Sequence, residues 1–376
     1  MSFHLTASLA GSGYHPASWR YSSLSAQPNA AQFRAMACAA ERGRLDAILL
    51  GLPVMAPSGA GSANTMRIDP LPLLGSLIAM TRQIGLGAAW TVDYTEPYNV
   101  ARVFATLDHL SYGRTAWIAA MFGTEALVPF IGRSDAVADP AAYCDRAGEF
   151  IDVVQQLWDS WEDEAFALDK ASGMFVDPER VYPINHVGSF FSVRGPLNVP
   201  RPPQGHPVLV QVDPDTAIGR QFVARTAEVV LTSCSTLSAA RERYRELHAL
   251  AGRRAGGLRI LANVLLVLGD TEAKARQRAA ELDASAKADA PRFVGTPEQL
   301  AAFLSLWSEA GACDGFNLMP AVLPDDLDHF VDRVIPLLQQ RDLFRSDYTG
   351  KTLRDHLGLS RPSSQFASQS VEFTRS

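Results

Sequence analysis

Phe3-His-Leu-Thr-Ala-Ser-Leu9-Ala-Gly11-Ser12-Gly13-Tyr14-His15 decides between the two folds open to this chain. Its first seven residues read as a short buried strand. A doubly wound open sheet that binds a dinucleotide leaves its first strand through G-x-G-x-x-G and runs straight into a helix. Here Gly11 and Gly13 are present, the third glycine is missing and no helical pattern follows His15. The stretch therefore favours a closed parallel barrel, in which the segment after strand one is a rim loop.

Seven further apolar runs lie at residues 46–51, 84–91, 115–121, 207–212, 228–232, 259–269 and 314–319. They are short and lack polar alternation, as expected of strands buried on both faces. Residues 30–42, 70–82, 97–110, 143–160, 217–227, 237–251, 297–310 and 327–339 place apolar side chains every three or four positions, the spacing of a helix. Eight alternations predict an α/β fold, one (β/α)8 TIM barrel spanning residues 1–362, with right-handed crossovers and no free sheet edge. Residues 363–376 are polar and predicted to be disordered.

Three connections exceed ordinary loop length. Residues 52–69, rich in Gly, Ser, Ala and Pro, read as a mobile lid, and residues 122–142 follow strand four. Both leave carboxyl ends of strands, where a barrel keeps its chemistry. Residues 161–206 enter strand five from the opposite side.

The 376 residues are 47% hydrophobic and 20% charged, the composition of a globular protein with a large core. A net charge of −6, without a basic run interleaved with aromatics, excludes nucleic acid as the expected partner. The amino terminus has no basic region before an apolar stretch, and no apolar run reaches the roughly 18 residues of a membrane span. A cytoplasmic protein without membrane association is expected. Cys38, Cys144, Cys234 and Cys313 are scattered and read as reduced thiols, the first and the last two as small buried side chains and Cys144 as a buried helical thiol. Neither H-E-x-x-H, C-x-x-C nor G-x-S-x-G occurs, so no metal site and no nucleophile triad is predicted.

Motifs along the whole chain point to a family. They include His15-Pro-Ala-Ser-Trp19-Arg20, Arg67-Ile-Asp-Pro-Leu71, Glu96-Pro-Tyr-Asn-Val-Ala-Arg102 and Leu107-Asp-His-Leu-Ser111. Leu157-Trp-Asp-Ser-Trp161, Val193-Arg-Gly-Pro-Leu-Asn198, Phe293-Val-Gly-Thr-Pro-Glu298 and Asp314-Gly-Phe316 follow. In order and spacing, from residue 3 to about 362, the chain resembles the flavin-dependent monooxygenases grouped with nitrilotriacetate monooxygenase, pristinamycin synthase and dibenzothiophene-sulfone monooxygenase. These belong to the bacterial-luciferase-like superfamily.

The resemblance implies a luciferase-like barrel with long insertions after its strands and before strand five. It implies a two-component system: a separate flavin reductase supplies reduced FMN, and the barrel uses it with O2 to oxidise a small organic substrate. A homodimer or higher oligomer, paired through the helices at 70–82 and 97–110, is implied as well. The flavin is expected against Thr91, Val92, Asp93 and Tyr94 after strand three, Trp117 on strand four, and Gln211, Asp213 and Thr216 after strand five. Arg220 is the candidate to offset the carboxylates of Asp213 and Asp215. The substrate pocket is expected to gather His15, Trp19, Leu52, Ile118, Met121 and Cys144, with no metal ligand.

Several of these positions depart from the family pattern. Leu52 stands where the family carries an Asp near the flavin ring, Val92 where it carries a hydroxyl, and Ile118 where it carries an Asn. Pro140 and Cys144 fall where a His and a Tyr hold the phosphate. Gln211-Val-Asp213-Pro214-Asp215-Thr216 replaces a Gln-Ala-Gly-Ser-Ser run whose backbone N–H groups cradle that phosphate. A carboxylate about 4 Å from a phosphate costs on the order of 4 kcal/mol per charge pair at an effective dielectric near 20. Three readings follow: an active monooxygenase with a rebuilt site, a degenerate flavin-free barrel serving as a regulatory partner of an active homologue, or a binder of an apolar ligand. Nearly full-length resemblance ranks the first ahead. His186 and Arg201 are expected to brace loops through backbone carbonyls rather than to hold an anion.

Overall fold

The computed structural model describes residues 3–24, 29–52, 68–121, 139–288 and 290–366. Most of the expected lid (53–67), residues 122–138 of the connection after strand four and the end of the tail (367–376) lie outside the described residues.

Eight strands follow in chain order: β1 (His4–Leu9), β2 (Ala47–Leu50), β3 (Gly85–Thr91), β4 (Thr115–Ala120), β5 (Val208–Val212), β6 (Val229–Thr232), β7 (Arg259–Leu268) and β8 (Gly315–Pro320). Each pairs in parallel with the next, and β8 returns to β1 with Gly315 opposite His4, so the ring is closed as predicted. Around it lie α1 (Ala30–Arg42), α2 (Pro70–Ile78), α3 (Pro97–Ser111), α4 (Pro140–Asp159), α5 (Ala217–Thr226), α6 (Leu237–Ala251), α7 (Glu272–Asp283) and α8 (Pro297–Glu309).

The period of two along each strand divides the core into two layers. Leu5, Ala7, Ile48, Leu50, Trp117 and Leu209 pack outward under the helices. Leu49, Ile118, Val208, Val210, Leu231 and Leu261 fill the interior. One side of the interior is polar and fully partnered: Thr6 Oγ1 donates to Asn317 Oδ1 (2.9 Å) and Asn317 Nδ2 to Asn263 Oδ1 (2.8 Å). The amino end is sealed by α9 (Leu353–Leu357), whose Leu353 and Leu357 join the interior layer. Arg354 on the same helix holds Glu228 through two 2.8 Å contacts.

Gly13 explains the glycines of the opening stretch. With φ +134°, it passes so close to β8 that a Cβ there would stand 2.3 Å from the Ala321 carbonyl oxygen. The glycine serves a backbone crossing, not a nucleotide.

The structure departs from the sequence reading in several places. Between β7 and α8 it inserts α7 and a ninth strand, Arg292–Gly295, which pairs in parallel with the second half of β7. The buried stripe of α7 is only Ala275, Ala279 and Leu282, too weak to register as a helical period. Helix α2 stops at Ile78 rather than at residue 82, and Glu41 Oε1 from α1 collects the amides of Arg82, Gln83 and Ile84 at 2.6–3.0 Å. The expected helix at 327–339 is broken into Asp325–His329, a π-helical stretch Phe330–Val334 and Ile335–Gln340. Pro336 lacks the N–H that a regular turn needs there.

His186 braces a loop through a carboxylate, and Arg201 does so through carboxylates and, as expected, through a backbone carbonyl, donating to Pro362 at 2.8 Å. His186 Nε2 lies 3.1 Å from Glu149, and Arg201 Nε donates to Asp159 at 3.1 Å. All four cysteines are unpaired thiols, and Cys144 and Cys313 are buried. Cys38 is exposed, contrary to expectation, because α1 buries the face of Phe33, Met36, Ala37 and Ala40. Cys234 is half-buried.

Candidate active site

At the carboxyl end of the barrel, β4 and β5 part beneath the first turns of α4 and α5. A cavity of about 360 Å³ opens between them. Leu52 after β2, Ile118 and Met121 at the end of β4, and Phe222 and Val223 on α5 give it apolar walls. Cys144 faces it from α4, and burial raises its thiol pKa, which keeps it protonated.

The polar lining comes mainly from the end of β5. Gln211 is 1% exposed, and its Oε1 accepts from Thr226 Oγ1 at 2.7 Å. Its Nε2 is buried without a hydrogen-bond partner. Two residues on, Asp213 gives one carboxylate oxygen to Arg243 from α6 and leaves Oδ1 buried without a hydrogen-bond partner. Burial pushes the Asp213 carboxyl up to about 6, against the opposing pull of Arg243. Thr216 caps α5, its Oγ1 accepting from the Gly219 amide at 3.2 Å. Gly219 is required in that turn, since a Cβ would stand 2.7 Å from Pro214 and 2.8 Å from Thr216 Oγ1.

Of the residues singled out in the sequence, Leu52, Ile118, Met121, Cys144, Gln211, Asp213 and Thr216 meet at this cavity. Thr91 and Asp93 stand beside it as a brace. Thr91 Oγ1 donates to Asp93 Oδ2 (2.9 Å), and Tyr143 OH on α4 donates to Asp93 Oδ1 (2.6 Å). Tyr94 is half-buried and lies off the cavity lining. Val92 and Trp117 are fully buried in the outer layer, and the Trp117 indole donates to the Trp90 carbonyl at 3.1 Å. Strand alternation turns both away from the mouth.

Arg220 makes its hydrogen bonds to Glu246 and to the Asp215 carbonyl, each at 2.7 Å, and offsets the Asp213 carboxylate only through space, while Arg243 makes the direct ion pair. His15 is also elsewhere, 1% exposed and tied to Asp283 at 3.3 Å, where burial lowers its pKa. Trp19 is 53% exposed on the turn Ser18–Arg20, under the Arg20 guanidinium. The sequence reading missed Arg243 and Tyr143. Each acts across a gap between elements that no local motif records.

The family model described as luciferase-like monooxygenase matches residues 4–321. The chain belongs to the luciferase-like monooxygenase family. It is 35% identical to N-acetyl-S-(2-succino)cysteine monooxygenase of Bacillus subtilis (strain 168), over 96% of this chain and 97% of that one. Nitrilotriacetate monooxygenase component A of Aminobacter aminovorans is 34% identical, again over 96% and 97%. Among solved structures, EDTA monooxygenase from Chelativorans sp. BNC1 superposes with a TM-score of 0.84 at 28% identity, covering 96% of this chain and 99% of that one. The expectation drawn from the motifs is borne out: this is a two-component flavin-dependent monooxygenase, an oxidoreductase that uses reduced FMN on small organic substrates.

The residues of this monooxygenase suit a flavin chemically. A flat, largely apolar ring system matches the walls of Leu52, Ile118 and Met121. A hydroxyl-bearing tail matches the polar residues on the lining, Gln211, Asp213 and Thr216.

Proposed function

We propose that the cavity between β4, β5, α4 and α5 is where this monooxygenase holds its reduced flavin. Gln211, Asp213 and Thr216 hold the polar tail, and Leu52, Ile118, Met121 and Cys144 face the ring and the substrate. The observation that carries this reading is a largely apolar cavity at the carboxyl end of the barrel whose polar lining, Gln211, Asp213 and Thr216, comes from the segment that ends β5 and starts α5.

The flavin, when bound, supplies the redox chemistry with O2. The chain's own work is positioning and dryness. The apolar walls exclude water from the reacting end, which strengthens every polar contact made there. The Thr91–Asp93–Tyr143 brace fixes the first turn of α4 against the end of β3, so Cys144 and Pro140 keep their places on the wall.

Reduced flavin comes from a separate reductase. The substrates in the relatives' names belong to those proteins, and here the substrate is proposed only as a small organic molecule. We place residues 1–362 in one barrel domain. A homodimer through the outer faces of α2 and α3 is supported by Leu110 and Tyr112, which are 59% and 83% exposed. A cytoplasmic location accords with four unpaired thiols.

The test couples the purified protein to a flavin reductase, NADH and FMN under isotopically labelled O2, with a panel of small organic acids, thioethers and amines. Substrate-dependent transfer of one labelled oxygen atom into a product is expected. Consumption of O2 that yields only hydrogen peroxide across the panel contradicts the reading.

A further inference from the structure

Sulfur meets the cavity from two elements. Met121, just after β4, is half-buried, packs against the core and lines the cavity. Cys144 lines it from α4. The two differ in how readily they take up oxygen. A thiol is a good nucleophile only as its thiolate, and burial keeps Cys144 protonated. A thioether carries free lone pairs at every pH, and the unbranched methionine side chain can turn its sulfur through several rotamers. Of the two, Met121 is the easier to oxidise.

This monooxygenase brings reduced FMN and O2 together. A substrate in the cavity takes the oxygen atom. With no substrate there, the Met121 thioether stands in the path of the same oxygen. The step balances with what the enzyme already uses: reduced FMN, O2 and the thioether give oxidised FMN, water and the sulfoxide. The O–O bond breaks and an S–O bond forms. Sulfur and flavin each give up an electron pair, and the second oxygen atom leaves as water with the two hydrogens of the flavin. Oxidation converts a flexible apolar side chain into a polar one. On a wall against the flavin ring, that new oxygen atom must be stripped of water each time flavin binds.

We propose that Met121 is a self-oxidation site: turnover without substrate converts it to the sulfoxide, which loosens the hold on the flavin and so slows the wasteful use of O2. The proposal rests on the reading of this cavity as the flavin site.

Solvent exposure ranks the sulfurs differently, which makes the proposal testable. Met174, outside the cavity lining, is 46% exposed, and Cys38 is exposed too. Peroxide free in solution attacks these first. The native protein is turned over with a flavin reductase, NADH, FMN and isotopically labelled O2, without organic substrate and with catalase to destroy released peroxide. Peptide mass spectrometry then locates the label, and a second sample receives hydrogen peroxide alone. Label on Met121 ahead of Met174, Cys38 and Cys144 is expected in the first sample, and Met174 ahead of Met121 in the second. Flavin titration before and after turnover should show affinity weakened roughly ten-fold in the native protein. Met121→Leu, shown to be folded by circular dichroism, should keep through turnover whatever affinity it starts with. The proposal is overturned if native protein that binds flavin gains no label at Met121, or gains it only after Met174, Cys38 or Cys144. It is equally overturned if labelled Met121 leaves affinity unchanged, or if Met121→Leu loses affinity as the native protein does. Failure to bind flavin before turnover removes the flavin reading of the cavity, and this inference with it.

Discussion

Asp108 is fully buried at the end of α3, and burial pushes its carboxyl up to about 6. It accepts from the Thr115 amide (3.2 Å), the Gln204 amide (3.1 Å) and Gln204 Nε2 (2.6 Å), which pull the other way but do not prevail. Its folded pKa lies above the usual 3.8, so the folded state holds the proton longer than the unfolded chain does. The contribution is therefore fully present below pH 3.8 and is lost as pH rises through about 6. Two pKa units correspond to about 3 kcal/mol. Asp108→Asn should lower overall stability by disturbing the Gln204 contacts, yet flatten the decline between pH 4 and 6. Urea denaturation across that range checks it, and an equally steep decline in the variant contradicts it. At this scale the sequence is legible where alternation is counted. Trp117 sits between Ala116 and Ile118, which face the interior, so its outward direction follows from the period of two. The choice of Arg243 over Arg220 does not follow from any local pattern, because it depends on how α6 lies against the end of β5.

Helix α5 carries the polar end of the site. Thr216 both caps it and lines the cavity, and the glycine three residues on leaves room for the capping hydroxyl. Thr216→Ala should cost about 1 kcal/mol of stability, the usual loss of an N-cap. The same change should weaken flavin binding, because the first turn that borders the cavity frays. Urea denaturation and flavin titration on one preparation check both effects, and unchanged values in both would contradict the placement. The start of this helix, at Ala217, was readable from the sequence, as were all eight barrel strands to within a residue or so. Their runs are apolar on both faces, the strongest signal a parallel strand gives. The strand Arg292–Gly295 and α7 escaped because their buried faces are small. The end of α2 escaped because Glu41, from another helix, captures the chain beyond it.

Across the whole molecule, the closed ring gives two ends with different tasks. The amino end is packed shut by Leu353, Leu357 and Leu359, with Arg354 locked to Glu228, and serves stability. The carboxyl end is open between β4 and β5, where long connections leave the strands, and holds the cavity. That division was legible from eight alternations and from the placement of the long segments after strands two and four. Which side of the mouth is hollow was not. It depends on how the first turns of α4 and α5 sit over the ends of β4 and β5, which packing fixes. The measurement that bears most directly on the account is a fluorescence-quenching titration with FMN of the native protein and of Met121→Trp, whose indole would occupy part of the cavity. A micromolar dissociation constant is expected for the native protein, weakened roughly ten-fold or more in the variant, about 1.4 kcal/mol. A millimolar constant in the native protein, or one that Met121→Trp leaves unmoved, would contradict it.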